Sequence, residues 1–242
     1  MNIAMILAGG VGTRVGMDIP KQFIKVNNKP ILVYTIENFQ NNKNIDAIEI
    51  VAHENWLQEC TELVKEYRLD KVRWFTTGGD TFQASVINGM EHLKGQADDD
   101  DVILISFGVS PYTTDEIIDD SIRVCEKYGN AIAAEDMVLS TCIMDDEISS
   151  TQNIIRETLK GFSNPWTFKF GDLCETYATA EKQGILEKVE PHTTSVYFEL
   201  GKRLYFSKTN RKNFKITTPE DLEIFEGLVL LEESKKKEGL KS

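Results

Sequence analysis

The sequence has no apolar run of membrane-spanning length, no paired cysteines and no excess of positive charge. The first absence excludes a transmembrane helix. Its four cysteines, Cys60, Cys125, Cys142 and Cys174, are widely separated and form no C-x-x-C. With no basic segment ahead of the first apolar run, no secretory leader is read, and reduced thiols in a cytoplasmic protein are expected. A formal net charge of -12 argues against nucleic acid or an anionic membrane surface as partner. The three histidines, His53, His92 and His192, have no neighbour at metal-ligand spacing. There is no internal repeat and no linker.

The 242 residues, 41% of them hydrophobic, suffice for one sizeable core. Apolar runs alternate with helical patterns along the first part of the chain. Strands are expected at Ile3–Leu7, Ala47–Ala52, Val72–Phe75, Val102–Ile105 and Ala131–Ala134. Helices are expected over Pro30–Phe39, Trp56–Tyr67, Thr81–Leu93 and Thr114–Tyr128. That order predicts an α/β fold with a mostly parallel sheet covered on both faces. The rhythm then changes. Residues 137–160 are polar and aperiodic and read as a protruding two-stranded arm, which has too little apolar surface to fold alone. A helix over Gly171–Gln183, a strand at Arg203–Phe206 and a last helix over Thr218–Glu233 complete the chain, with Pro219 in the first turn of that last helix. The whole reads as a single domain over residues 1–233 with a flexible tail over 234–242.

The most informative stretch is the turn at the end of the first strand. It reads Leu7-Ala8-Gly9-Gly10-Val11-Gly12-Thr13-Arg14, with Pro20-Lys21-Gln22 close behind. Glycines let backbone N–H groups approach an anion without a Cβ in the way, Arg supplies a rigid fork of donors and Lys a mobile charge. The run is not a P-loop, because it lacks the G-K-[ST] ending, and it does not fit G-x-G-x-x-G. A tight turn needs one glycine; three, with Arg14 and Lys21, point to a phosphorylated ligand.

L-A-G-G-x-G-T-R followed by P-K-Q-F resembles the opening of the methylerythritol phosphate and ribitol phosphate cytidylyltransferases. The resemblance extends along nearly the whole chain through Pro30-Ile31-Leu32, Gly78-Gly79 with Ser85-Val86, Pro111-Tyr112, and Asn213-Phe214-Lys215-Ile216-Thr217-Thr218-Pro219. It implies a three-layer, Rossmann-like sheet of the nucleotide-diphospho-sugar transferase type. It implies transfer of a cytidylyl group from CTP to a phosphorylated polyol or sugar, with pyrophosphate released and Mg2+ carried on the CTP. The product would be CDP-linked, for a cell-surface polymer or an isoprenoid precursor. Arg14, Lys21 and Lys215 match the residues that grip the triphosphate and the reacting phosphorus. Ala8, Gly9, Gly10, Gly12, Thr13, Gly79, Asp80 and Ser85 match nucleotide-binding positions. Thr141 and Arg156 match the arm residues that reach the acceptor phosphate of a neighbouring subunit, which implies a homodimer through the arm.

The chain departs from that pattern where polar groups should face the ligand. In H-D-x-x-R-P the Asp and Arg positions are Phe107 and Ser110, and in G-G-x-x-R the Arg position is Phe82. Ser163-Asn164-Pro165-Trp166 replaces Q-T-P-Q, and Ser140-Thr141 replaces the arm's D-T pair. A phenyl ring cannot ligate a hard cation. Asp80 or Asp221 would be the replacement ligand, each with an ordinary alternative at a helix start. Two readings stay open here: a site refitted for another acceptor or another base, or a nucleotide- or sugar-phosphate-binding homologue without catalysis. Trp166 is read as packing or as part of an altered acceptor pocket.

Overall fold

A computed structural model describes residues 1–10 and 19–238. The chain opens with β1 (Asn2–Ala8), and two short strands, β2 (Lys25–Val26) and β3 (Lys29–Pro30), lead into helix α1 (Ile31–Asn41). Then come β4 (Ala47–Ala52), α2 (Leu57–Glu66), β5 (Val72–Thr77), α3 (Phe82–Leu93), β6 (Val102–Phe107), α4 (Asp115–Tyr128) and β7 (Asn130–Asp136). A hairpin of β8 (Thr141–Ile143) and β9 (Gln152–Ile154) precedes the long β10 (Lys160–Lys169). The chain closes with α5 (Phe170–Lys182), α6 (Thr193–Glu199), β11 (Phe206–Ser207) and α7 (Pro219–Lys237).

Seven strands form the main sheet in the order β11-β7-β10-β6-β1-β4-β5. β1 runs parallel to β4 on one side and to β6 on the other, while β10 is antiparallel to both β6 and β7. Successive side chains of a strand point to opposite faces, and β1 shows the consequence. Ala4, Ile6 and Ala8 pack with α1, α2 and α4 residues such as Leu32, Phe39, Cys60 and Ile118. Ile3 and Met5 pack on the other face with Val86, Met90, Leu173 and Tyr197 from α3, α5 and α6. Both faces of the sheet are therefore covered, and the fold is a three-layer α/β sandwich. A third cluster seats α7 through Leu222, Phe225 and Val229 against Ile24, Val26 and Ile31. Burial in the first core pushes the Cys60 and Cys125 thiols up to about 12, so neither is a reactive thiolate at neutral pH.

The structure adds the β2–β3 pair and α6 to the elements read from the sequence, and three further features differ. β10 was not anticipated: its run carries Ser163, Asn164, Pro165 and Thr167, which break the apolar pattern of a central strand. Arg203–Phe206 is not a strand; the short β11 is Phe206–Ser207. The last helix passes residue 233 and ends at Lys237, because Lys235, Lys236 and Lys237 in its final turn complement the negative end of the helix dipole.

One carboxylate is buried in the sheet. Glu49, on β4, accepts a hydrogen bond from Thr76 Oγ1 at 2.6 Å and meets His92 Nδ1 at 2.9 Å, while its Oε2 has no partner. Burial outweighs those bonds and raises its pKa from 4.5 to about 7. The folded chain therefore holds this proton more tightly than the unfolded chain does. Its contribution to stability is complete below pH 4.5 and is lost as pH rises through about 7. Glu49→Gln is expected to flatten the fall of Tm across that window, measured by thermal melts at stepped pH. A slope equal to that of the unsubstituted protein would contradict this assignment.

Candidate active site

The C-terminal ends of β1, β4, β5 and β6 open into one cleft, as the crevice at the strand ends of a parallel sheet should. Its inner chamber, about 290 Å³, is lined by Ala8, Gly9, Gly10, Lys21, Gly79, Asp80, Phe82, Ser85, Phe107 and Lys215, among others. An outer chamber of about 450 Å³ shares Gly9, Gly10, Gly79 and Asp80 and adds His53, Glu54, Thr77 and Gly78. The glycine turn and Lys215, far apart in sequence, thus face the same space.

Each wall has a local cause. Ala8 ends β1 paired with Ala52, and its carbonyl accepts a hydrogen bond from Gln22 Nε2 at 2.8 Å. That bond fixes the short 3-10 helix Lys21–Phe23 against the end of β1 and brings Lys21, 8% exposed, to the cavity wall. Across the cleft, Gly78 N–H donates to the carbonyl of Ala52 at 2.8 Å, and Gly79 N–H donates to Ser85 Oγ at 3.1 Å. A Cβ on Gly79 would lie 2.4 Å from Ala84 Cβ, so only glycine lets this turn close onto α3. Thr81 caps α3 by accepting from Ala84 N at 3.0 Å, so that helix starts beside the cavity. Its positive dipole end is suited to an anionic ligand.

The fourth wall is held by buried carboxamides. Asn164 Oδ1 accepts from Ser106 Oγ at 2.5 Å and from the Phe107 N–H at 3.3 Å. Asn164 Nδ2 donates to Asn213 Oδ1 at 3.3 Å, and Asn213 Nδ2 donates back to the Asn164 carbonyl at 2.5 Å. Thr113 Oγ1 donates to Asn213 Oδ1 at 3.0 Å, and the Ile216 N–H donates to the Val109 carbonyl at 2.9 Å. The loop carrying Lys215 is thereby tied on both sides of that residue to the end of β6. Lys215 Nζ lies 4.1 Å from the centroid of the Phe107 ring, a cation–π distance.

Phe107 belongs to an aromatic group that sequence reasoning did not assemble. Its ring lies 5.5 Å from Phe82 and 5.7 Å from Trp166, and Phe82 lies 5.3 Å from Trp166 and 5.5 Å from His192. The signal was in the chain: two phenylalanines at positions where the resemblance calls for charge. A linear motif could not say that they touch.

Of the sequence-predicted residues, Ala8, Gly9, Gly10, Lys21, Gly79, Asp80, Ser85 and Lys215 line the cavity. Gly12, Thr13 and Arg14 lie outside the described residues. Thr141 and Arg156 do not line this cavity. Thr141 pairs with Ile154 in the hairpin, and Arg156 Nη1 donates to the Val138 carbonyl at 3.1 Å. Asp221 is used at the start of α7, accepting from the Thr217 and Thr218 N–H groups at 2.8 and 2.9 Å. Ser110, at the expected Arg position, is fully buried. The described residues contain no group of three or more His, Cys, Asp or Glu placed to hold a metal ion. Asp80 is the carboxylate among those lining the inner chamber. The residues present therefore fit a cation that rides on ligand phosphates and takes one protein carboxylate, an arrangement magnesium favours.

The sequence model of the 2-C-methyl-D-erythritol 4-phosphate cytidylyltransferase family matches residues 2–230. A ribitol-5-phosphate cytidylyltransferase of Lacticaseibacillus paracasei is 35% identical over 225 residues, which are 93% of this chain and 96% of that protein. A 2-C-methyl-D-erythritol 4-phosphate cytidylyltransferase of Clostridium acetobutylicum is 35% identical over 230 residues, 95% of this chain and 97% of that one. The crystal structure of 4-diphosphocytidyl-2C-methyl-D-erythritol synthase from Anaerococcus prevotii shares the fold, with a TM-score of 0.79 at 21% identity over 95% of this chain and 98% of its own. The chain belongs to this cytidylyltransferase family.

Asn213→Ala leaves the buried Asn164 amide and carbonyl short of a partner. Urea denaturation is expected to show a loss of about 2 kcal/mol or more. A loss below about 0.5 kcal/mol would mean that the clamp carries little of the structure.

Proposed function

We propose that this chain, as a nucleotidyltransferase of that family, transfers the cytidylyl group of CTP to a phosphomonoester acceptor and releases pyrophosphate. The carrying observation is the convergence of the Gly9–Gly10 turn, Lys21 and Lys215 on one cavity, in a chain whose named relatives are cytidylyltransferases. An acceptor phosphate oxygen attacks the α-phosphorus of CTP. A new P–O bond forms, the bond to the β-phosphate oxygen breaks, and pyrophosphate leaves with the electron pair.

Little covalent work falls to the protein; positioning and charge do most of it. The glycine turn and the start of α3 offer backbone N–H groups to the phosphates, and Lys21 and Lys215 stabilise charge from two sides of the α-phosphorus. Arg14 joins them by the resemblance. Gly79 and Ser85 bound the space for ribose and base. Magnesium, carried in on the triphosphate, supplies neutralising charge when bound, and Asp80 is the side chain that would hold it.

The retained lysines, together with the relatives' activity, favour catalysis over a purely binding role. The polyol phosphate relatives suggest a CDP-linked product for a cell-surface polymer, the erythritol phosphate relatives an isoprenoid precursor. Cytoplasmic placement fits such a substrate pair, and no described helix is long and apolar enough to cross a membrane.

The hairpin supports a homodimer. Leu139, Met144, Ile148 and Ile155 are 64–95% exposed along this arm. A two-stranded hairpin with its apolar side chains in water is marginal by itself. Pairing with a second copy would cover these side chains and carry Thr141 and Arg156 toward the partner's acceptor site. Ile148→Asp with Met144→Asp is expected to give a monomer by light scattering; an unchanged mass would remove the arm from the interface.

Lys21→Ala is expected to lower kcat/KM for pyrophosphate release by about 10² or more, the size of one lost transition-state donor. A rate within a factor of about two of the unsubstituted enzyme would contradict the role given to Lys21.

A further inference from the structure

Among the described residues, polar groups are scarce on one side of the cleft. The turns after β1 and β5 and the start of α3 carry backbone N–H groups, glycines, Ser85 and Asp80. On the other side of β1 lie the end of β6 and its neighbour β10, and their polar atoms are spent on each other. The Phe107 N–H and Ser106 Oγ are both taken by Asn164 Oδ1, and Asn164 Nδ2 by Asn213. The indole N–H of Trp166 is taken by the Ser163 carbonyl at 2.7 Å. The cavity there is bounded by the rings of Phe82 and Phe107, which contact each other and are both backed by Trp166.

The Phe107 ring face is already covered by the Lys215 ammonium at 4.1 Å, so a second cation there would meet like charge. A hydroxyl pressed on these rings beyond reach of the Lys215 ammonium would give up its water and gain no hydrogen bond from the rings, whereas a methylene would lose nothing.

We propose that the acceptor is a phosphomonoester whose carbons next to the phosphate are poor in hydroxyls, and that the Phe82–Phe107 wall selects it. The inference rests on the cytidylyl-transfer reading and sharpens it. The nucleotide occupies the polar side over β1, β4 and β5, and the acceptor phosphate meets Lys215. The acceptor's adjacent carbons then lie along the Phe107–Phe82 surface. The two phenylalanines act as a pair, since each ring is the other's packing partner. Replacing only one of them by a charged group would bury that charge against the remaining ring and Trp166.

The test uses the full chain with CTP and magnesium, reading pyrophosphate release for two matched acceptor pairs. One pair is glycerol 3-phosphate and propane-1,3-diol monophosphate; the other is ribitol 5-phosphate and pentane-1,5-diol monophosphate. The hydroxyl-poor member of each pair is expected to have kcat/KM higher by about tenfold or more. Phe82→Arg with Phe107→Asp is expected to reverse that order, and Phe107→Leu to keep it. Equal or better use of the hydroxylated members by the unsubstituted enzyme overturns the apolar wall and leaves cytidylyl transfer standing. Pyrophosphate release with none of the four, from protein that binds CTP, overturns both.

Discussion

The site depends on one buried contact, in which the Asn213 carboxamide accepts from the Asn164 side chain and donates to the Asn164 backbone carbonyl. Asn164 sits in β10 beside the end of β6, and Asn213 sits two positions before Lys215. Their bonds join a strand of the sheet to a loop that arrives from the far end of the chain. Both side chains are 2% exposed, so neither can exchange its partner for water, and an unmatched amide there would be costly. The position of Lys215 over Phe107 follows from this clamp and from the Ile216–Val109 bond that closes the other side of the loop.

The parallel strands supply the rest of the frame. With β1 flanked by β4 and β6 in parallel register, three strands end at one edge, and their turns share one cleft. Gln22 holds the Lys21 segment to the end of β1, and Ser85 holds the Gly79 turn to α3. Lysines thus face the cavity from two separate supports, each fixed by buried hydrogen bonds. That rigidity suits a reaction in which charge must be met at set positions.

Much of this was legible in the chain. Apolar runs marked β1, β4 and β6, and helical patterns beginning at Thr81 and Thr218 marked two helices whose starts the structure shows capped by those residues. The Gly9–Gly10 turn and Lys21 could be named from the residues themselves and Lys215 from the family resemblance, and all line the cavity. β10 escaped because Asn164 and Thr167 in it are polar yet buried, satisfied by partners remote in sequence. The aromatic wall escaped for a related reason. Phe82, Phe107 and Trp166 come from three separate elements, and only the fold shows that the two apparent defects in the motif are one packed unit.

A site with two cavity-lining lysines beside an apolar wall is a consistent object rather than a ruined one. On the proposed reading, the lysines hold the part of the reaction common to every acceptor, and the wall alters the part that distinguishes acceptors. The most direct measurement of the account is a crystal structure with bound CTP. The account predicts the triphosphate between the Gly9–Gly10 turn and Lys215, with cytosine on the Gly79–Ser85 side of the cleft. Cytosine stacked on Phe107 and Phe82, or a triphosphate remote from Lys215, would contradict it.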